Sequence, residues 1–223
     1  MRKHSILLSA LALATLLTTT AATQENLTVN DKVTVAAAST LRVNTESSAM
    51  KWNAKKVGGE HYGKINISEG ALQVNGNKLT GGNFVIDMTT IVVEDITNLG
   101  SNKKLTDHLK SDDFFSVEKY NTSSFKITKA APIAKAKAGE ANYRITGDLT
   151  IKGITQPISF PATVKIAGKA AEAEAKIEVD RTQYDIKYRS GLIGTAADKI
   201  INDTFTLDIK LVADTANQTV SGK

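Results

Sequence analysis

The chain has 223 residues, a formal net charge of +5, 5% aromatic residues and no cysteine. Without cysteine it has no disulfide bond, no thiol nucleophile and no lipid anchor attached through cysteine. Basic and acidic residues alternate along the chain, so the mild positive charge predicts no nucleic-acid partner. The length suits a single domain with a substantial core.

The first 22 residues are typical of a secretory signal peptide. Arg2 and Lys3 precede an apolar run from Ile6 to Leu17, and small residues lead to an expected cleavage site after Ala22. The run is too short to cross a bilayer as a helix, and no other run approaches that length. We therefore expect an exported protein, periplasmic or secreted, with no transmembrane segment in the mature chain.

The mature chain is expected to contain one domain, in which apolar and polar residues alternate with a period of two. Residues 23–37 are predicted to form a linker or a loosely attached first strand, residues 38–215 the domain, and residues 216–223 a flexible tail. Alternation is typical of strands with one buried face and one wet face. The inward residues predicted in this way are Phe84, Ile86, Met88, Phe125, Ile127, Tyr143, Ile145, Gly147, Leu149, Ile151, Ile158, Phe160, Ala162, Val164, Ile166, alternate residues from Ala171 to Val179, and Phe205, Leu207, Ile209 and Leu211.

Glycine-containing segments between the alternating runs predict tight turns, because glycine accepts positive φ. These segments are Ser68–Ala71, Asn75–Lys78, Leu79–Asn83 and Lys152–Pro157. Strands joined by short turns form an antiparallel meander, and about eight of them can close into a barrel without exposed edges. The predicted fold class is therefore all-β, an antiparallel barrel of about eight strands with one or two short helical insertions.

Two segments interrupt the strand pattern and predict the helical insertions. Leu99–Tyr120 has helix-like spacing, with Ser111 as a possible N-cap before two aspartates. Residues 191–203 are expected to include a helical turn.

Several inward positions carry small side chains, namely Gly147, Ala162, Ala171, Ala173 and Ala175. With few aromatic residues to compensate, a barrel of this size is expected to contain an elongated apolar cavity. An exported protein with such a cavity is better suited to carrying a ligand than to catalysis. The alternative is that these residues let two sheets of a closed sandwich approach tightly.

Five segments, taken together and in order, resemble the YceI-like family of exported bacterial proteins. They are "KWNAKKVGGEHYGKI", "LTGGNFVIDMTTI", "HLKSDDFFSVEKY", "GDLTIKGITQPISFPATV" and "VDRTQYDIKYRSG", and the resemblance spans Ser39 to Ala213. It implies a lipocalin-like barrel that binds a long polyisoprenoid, an isoprenoid quinone or a related amphiphilic lipid. The tail would lie inside the barrel, and the polar head near its mouth.

The "HLKSDDFF" segment is the part of this resemblance with the most direct bearing on the ligand. The resemblance implies that His108, Leu109, Phe114 and Phe115 close one end of the barrel and contact the lipid. Adjacent residues on a helix diverge by about 100°, so one phenylalanine is expected to face the cavity and the other to anchor the helix. The alternative is that both only hold the helix in place.

The chain departs from the pattern common in the family at three places. Leu105 stands where many relatives have an arginine, and Asn121 where many have proline. Leu192-Ile193-Gly194 stand where many of the relatives with the most similar motifs have paired aromatics. The resemblance therefore does not imply a head-group contact that depends on the arginine, and the cavity mouth is expected to differ in shape.

A binding protein is the preferred interpretation, with a lipid hydrolase or a structural envelope protein with a filled barrel as the alternatives. The mature chain has two histidines and no nucleophile motif or dinucleotide fingerprint, so no metal or cofactor is expected. Asp180 and Arg181 are expected to form a structural ion pair at a strand end, and an outward face could support a homodimer. The predicted ligand-binding residues are Trp52, Ile67, Phe84, Ile86, Met88, His108, Leu109, Phe114, Phe115, Phe125, Ile145, Phe160 and Phe205.

Overall fold

The computed structural model describes residues 38–215, which form nine strands, one α-helix and three short 3₁₀ helices. The predicted signal peptide, the linker 23–37 and the tail 216–223 lie outside the described residues. The strands are β1 Ala38–Val43, β2 Ala49–Lys56, β3 Gly59–Asn75, β4 Lys78–Val93, β5 Thr122–Pro132, β6 Tyr143–Ile151, β7 Ile154–Ala167, β8 Ala170–Asp180 and β9 Ile201–Asp214. The α-helix α1 is Leu99–Lys110, and the 3₁₀ helices are Arg181–Tyr184, Gly191–Ile193 and Ala197–Lys199.

The strands form one antiparallel sheet in the order β1-β3-β2-β9-β8-β7-β6-β5-β4, and pairing of β3 with β4 closes it into a barrel. β1 and β2 share one position in the wall. β3 pairs with β2 through residues 59–65 and with β1 through residues 71–75. β1 also meets the end of β9. Nine strands therefore occupy eight positions, which confirms the predicted barrel of about eight strands.

The two ends of the barrel differ in the length of their connections. The helix end carries the turn 57–58, the long insertion 94–121 with α1, the turn 152–153 and the segment 181–200. The far end carries the connections 44–48, 76–77, 133–142 and 168–169. Most of the chain outside the wall therefore collects at the helix end.

The observed burial follows the alternation seen in the sequence. In β6, Tyr143, Ile145, Leu149 and Ile151 are buried, whereas Arg144 between them is exposed. Because side chains of a strand point alternately to opposite faces, the apolar set of each strand lies inside the barrel.

Two of the four predicted turns are wrong. Ser68–Ala71 lies inside β3, which is only bulged there, and Leu79–Asn83 lies inside β4. A Cβ atom on Gly70 would stand 2.8 Å from Cδ1 of Phe84. Glycine is present there because it makes room for an aromatic ring on the neighbouring strand, not because the chain turns.

The other two turns are confirmed, and both need positive φ. Gly76 has a φ of +58°, and Lys152 and Gly153 have φ of +51° and +73°. The second turn is shorter than predicted, since β7 already begins at Ile154.

Helix α1 begins and ends with side-chain caps. The Asn98 side chain accepts a hydrogen bond from the Ser101 amide at 2.9 Å, which satisfies one free donor of the first turn. The Ser111 hydroxyl donates to the His108 carbonyl at 2.8 Å. The prediction of Ser111 as an N-cap is therefore wrong, because this serine closes the C-terminal end of the helix.

The insertion that carries α1 is attached to the barrel through Asp95. Its carboxylate lies 2.7 Å from Nδ1 of His61 and accepts a hydrogen bond from the Tyr62 amide at 3.0 Å. Partial burial acts to raise the pKa of Asp95, but the hydrogen bonds from His61 and Tyr62 outweigh it and lower the pKa below its usual value. These contacts fix the chain where it leaves β4.

The barrel wall is split between β7 and β8. The two strands pair from Ala162 with Ala175 to Ala167 with Ala170, but not beyond, so residues 156–161 and 176–180 face each other across a groove. We call this groove the β7–β8 gap. Pro157 and Pro161 lie along it, as expected, because proline lacks the amide donor and is tolerated at the edge of a sheet.

We expect hydrogen exchange to reveal this gap. Every second amide of residues 176–180 should exchange roughly tenfold faster than the paired amides of residues 171–175, because it has no ladder partner on β7. Residue-resolved exchange measured by NMR tests this. Equal protection along the whole of β8 would show that the wall is continuous in solution.

Replacing Asp95 should make stability less dependent on pH. A lowered pKa in the folded state stabilises the fold above the unfolded pKa of about 3.9, and this contribution is lost as the pH falls through the folded value. Asp95→Asn should lower the free energy of unfolding by about 1–2 kcal/mol at pH 7, because hydrogen bonds to a charged group are lost. Urea denaturation from pH 7 down to pH 3 should show that the difference in the free energy of unfolding between wild type and variant decreases below about pH 4.

Asp107→Asn is the matched control, since Asp107 pairs with Lys103 on the exposed surface of α1. Exposed pairs of this kind contribute little, so this variant should remain close to wild type at every pH. A deficit in Asp95→Asn that stays constant down to pH 3 would contradict the assignment.

Candidate functional site

The barrel interior contains an apolar cavity with a volume of about 170 Å³. Strands β2 to β9 contribute side chains to its wall, and the segments at the helix end cover one end of it. Nearly all of the wall consists of aliphatic and aromatic groups. Such a space can take up an apolar group and exclude water from it, but it offers little to bind a polar ligand.

The structure places twelve of the thirteen predicted ligand-binding residues on the cavity wall. Nine of the twelve lie on strands at inward positions, and the other three belong to the insertion after β4. The twelve are Trp52, Ile67, Phe84, Ile86, Met88, Leu109, Phe114, Phe115, Phe125, Ile145, Phe160 and Phe205. The remaining residue, His108, is not part of the wall.

The sequence-based selection missed much of the aliphatic part of the wall. It favoured aromatic residues, although alternation had marked several of the missed residues as inward. The missed aliphatic residues include Ile65, Ile91, Ile127, Leu149, Ile151, Ile158, Val164, Ile177, Leu207, Ile209 and Leu211. Ile186 and Ile201 were missed because they follow irregular segments, where no period-two pattern points to a face.

An aromatic group crosses the middle of the cavity wall. The rings of Phe84 and Phe125 are stacked with centroids 6.4 Å apart, and Phe125 lies 5.6 Å from Phe160. A Cβ atom on Gly147 would stand 2.5 Å from Cζ of Phe125. The expectation that Gly147 leaves room for a ligand is therefore wrong, because the Phe125 ring fills that space.

The small residues of β7 and β8 behave differently from Gly147. Ala162, Ala173 and Ala175 line the cavity, whereas Ala171 is buried outside it. Their short side chains leave the interior open beside β8.

Phe114 and Phe115 both line the cavity. Phe114 is also packed edge-on against the His108 ring at 5.0 Å, and Phe115 edge-on against Phe205 at 6.4 Å. The prediction that only one of them faces the cavity is wrong, because α1 ends at Lys110 and the two rings follow in turns, where the helical 100° divergence does not apply.

His108 lies outside the cavity and contacts both the insertion and the segment 181–200. Its Nε2 lies 2.8 Å from the Asp113 carboxylate, and its ring packs edge-on against Tyr188 at 4.8 Å. The histidine therefore orients Phe114 and joins the insertion to the segment 181–200.

The buried Arg181 anchors the segment 181–200. Its guanidinium donates to the carbonyls of Asn202, Ile186 and Ile201 at 2.7–2.9 Å, and it lies 3.3 Å from the Asp203 carboxylate. Burial lowers the pKa of Arg181, and the charge of Asp203 opposes this shift. The side chain lines the cavity, but its donors are directed to the backbone, so its role is structural.

The prediction of an ion pair between Asp180 and Arg181 is wrong, because Arg181 pairs with Asp203. The Asp180 carboxylate instead accepts hydrogen bonds from the amide and hydroxyl of Thr182. Burial acts to raise the pKa of Asp180, but these bonds outweigh it and lower the pKa. Nearby, burial raises the pKa of Tyr184 to about 12.

Four residues with polar side chains contribute to the cavity wall: Ser123, Glu174, Arg181 and Asn202. Glu174 and Asn202 are exposed, and Arg181 is bonded as described. Ser123 differs, because it is buried and its hydroxyl has no hydrogen-bond partner within residues 38–215.

The positions that depart from the family pattern lie outside the cavity wall. Leu105 packs partly buried against the core from α1. Leu192 and Ile193 are 76% and 57% exposed in a 3₁₀ turn at the helix end. These residues leave an apolar patch on the surface beside the covered end of the cavity.

The part of the chain that the structure describes contains no group of three or more histidine, aspartate or glutamate side chains placed to hold a metal ion. Over the same residues, no helix is long and apolar enough to cross a membrane.

Several curated proteins resemble this chain over part of its length. A UPF0312 protein of Vibrio parahaemolyticus is 38% identical over 85 residues, which cover 38% of this chain and 42% of the relative. A UPF0312 protein of Photorhabdus laumondii is 32% identical over 114 residues, which cover 48% of this chain and 56% of the relative. The chain thus spans about half the length of these relatives.

Two solved structures share the fold at low sequence identity. BcnA of Burkholderia cenocepacia has a TM-score of 0.60 and 21% identity, over 77% of this chain and 99% of that one. A polyisoprenoid-binding domain from Saccharophagus degradans has a TM-score of 0.53 and 13% identity, over 81% of this chain and 98% of that one.

The YceI-like domain matches residues 41–213, which is most of the chain and nearly all of the barrel. The closed antiparallel barrel with a helical insertion after β4 is consistent with that match. The chain belongs to the YceI-like family.

Proposed function

We propose that the protein binds the apolar tail of a long-chain amphiphile, such as a polyisoprenoid or an isoprenoid quinone, inside the barrel and carries it in the cell envelope. The apolar cavity is the observation that carries this proposal, because it offers a space lined by few polar groups. Each buried methylene contributes about 0.8 kcal/mol before the cost of association. An alkyl or prenyl chain therefore gains affinity without a specific polar contact. Polyisoprenoid binding by the Saccharophagus degradans domain supports the same ligand class.

The size of the cavity indicates how a long chain would be held. An apolar cavity of about 150 Å³ takes up one benzene molecule, so about 170 Å³ accommodates only a short segment. The rest of the chain must displace side chains or leave through the wall. The β7–β8 gap supports the second route, because Ile158, Phe160 and Ile177 border both the cavity and the groove.

Binding is favoured over the two alternatives. A structural envelope protein with a filled barrel would not need the open interior beside Ala173 and Ala175. A lipid hydrolase would need a nucleophile beside a base at the cavity, and Ser123 has no hydrogen-bonded base within the described residues.

We also propose that residues 1–22 direct export and are removed, which would place the carrier in the periplasm or outside the cell. The proposal rests on the charged start, the short apolar run and the small residues before position 23.

Native mass spectrometry of the protein isolated from the envelope of its host tests both proposals together. The mass of the unliganded chain reports cleavage near Ala22, and the mass in excess of it reports a bound lipid, which organic extraction then identifies. We expect one lipid for each chain. An unliganded mass, together with no uptake of added isoprenoid or acyl lipids, would contradict the carrier function. The same spectrum reports whether the protein is a homodimer.

Filling the cavity should abolish uptake without unfolding the barrel. Ala173→Phe adds a ring on the open side beside β8, so we expect binding of an apolar fluorescent dye to fall more than about tenfold, because the space for the ligand is lost. Dye titration gives the affinity, and the thermal midpoint shows whether the variant is overpacked.

Glu172→Phe is the matched control, since it introduces the same ring one residue earlier on the exposed face of β8. It should bind the dye as wild type does. A folded Ala173→Phe protein with unchanged uptake would place the binding site elsewhere.

A further inference from the structure

We propose that Ser123 forms a polar subsite within the apolar cavity and selects ligands with a carbonyl oxygen part-way along the chain. This inference rests on the proposed lipid-binding function and narrows its ligand class. The cavity does not need Ser123 for packing, because alanine would cover the same wall.

Ser123 lies at an inward position of β5. It is in register with Ile86 on β4 and stands two residues before Phe125 on the same face, about 7 Å towards the helix end. Ser123 itself is only 6% exposed. The residue therefore lies in the cavity wall, between the central aromatic group and the phenylalanines of the insertion.

The Ser123 hydroxyl is one of two buried side-chain groups without a hydrogen-bond partner among residues 38–215, and the only one of the two on the cavity wall. The other, of Tyr184, borders the β7–β8 gap. Buried polar groups are almost always paired, because a lone hydroxyl in an apolar environment forgoes the hydrogen bonds that it makes in water. The Ser123 hydroxyl would be satisfied if a ligand in the cavity supplied the partner.

The chemistry of a single hydroxyl limits what that partner can be. An ionised or hydroxyl-bearing group would need several partners in this wall, whereas a carbonyl oxygen needs only a donor. Ser123 can give that donor. The ligand class that fits is a long-chain ketone, ester, amide or quinone, with its carbonyl at the depth of Ser123.

Competition against a fluorescent apolar dye, N-phenyl-1-naphthylamine, tests the inference with undecane, undecan-2-one and undecan-6-one as probes. These ligands share a chain length and differ in the presence and position of one carbonyl. In the wild type, affinity should depend on where the carbonyl stands. Ser123→Ala should weaken the better ketone about fivefold to tenfold, because one hydrogen bond is lost, and should leave undecane unchanged or slightly tighter.

Ser124→Ala is the matched control, because it makes the same change one residue along β5, outside the cavity wall. It should alter no affinity. Ser123→Ala should also keep or raise the thermal midpoint, since it removes an unpaired buried hydroxyl.

Each other outcome has a distinct meaning. The subsite is rejected, while the carrier function stands, if Ser123→Ala weakens the binding of undecane and both ketones alike. The same holds if the affinity of the wild type does not depend on the position of the carbonyl. If the wild type takes up neither dye nor undecane, the carrier function itself fails.

Discussion

Closure of the sheet is the constraint on which the other features depend. Once β3 pairs with β4, the hydrogen-bond ladder holds each strand at a set register, and every second side chain must point into an interior of limited width. Residues at those positions have to be apolar, and their volumes together decide whether the interior is full. Here the volumes do not fill it, so closure creates both the stability of the barrel and its cavity.

The positions of glycine and phenylalanine determine which parts of this interior are packed and which are empty. Gly70 and Gly147 allow the rings of Phe84 and Phe125 to lie against neighbouring backbone, which brings two bulky side chains together at the centre of the wall. Ala173 and Ala175 of β8, in contrast, border the cavity. Small inward residues thus have opposite effects, depending on what the adjacent strand supplies.

The wall and the helix end are built in different ways. At the helix end, irregular chain is held by side chains bonded to backbone, chiefly Arg181 and the Asp95 carboxylate. In the wall, the β7–β8 gap leaves an edge with two prolines, where the two strands do not pair. Under the proposed carrier function, a long chain would enter more readily through this split flank than through the end that Phe114 and Phe115 cover.

Much of the fold could be predicted from the chain alone, because alternation with a period of two is a local property. The inward faces of β4 to β9 and the turns at Gly76 and Gly153 follow from it, and so does the position on the wall of residues such as Phe84 and Phe160. The misplaced turns at Ser68–Ala71 and Leu79–Asn83 show the limit. In a sequence, a glycine in a turn cannot be distinguished from a glycine that makes room for an aromatic ring until the neighbouring strand is known.

The amino-acid sequence by itself determined the fold class, the inward faces and the apolar character of the interior, since each depends on residue type and spacing within one strand. Only the tertiary structure decided which small residues border empty space, that both Phe114 and Phe115 reach the cavity, that Arg181 pairs with Asp203, and that the Ser123 hydroxyl stands unpaired within the described barrel. The physical reason is that these features join residues far apart along the chain. Whether a space is filled or a donor satisfied depends on side chains that only closure of the barrel brings together.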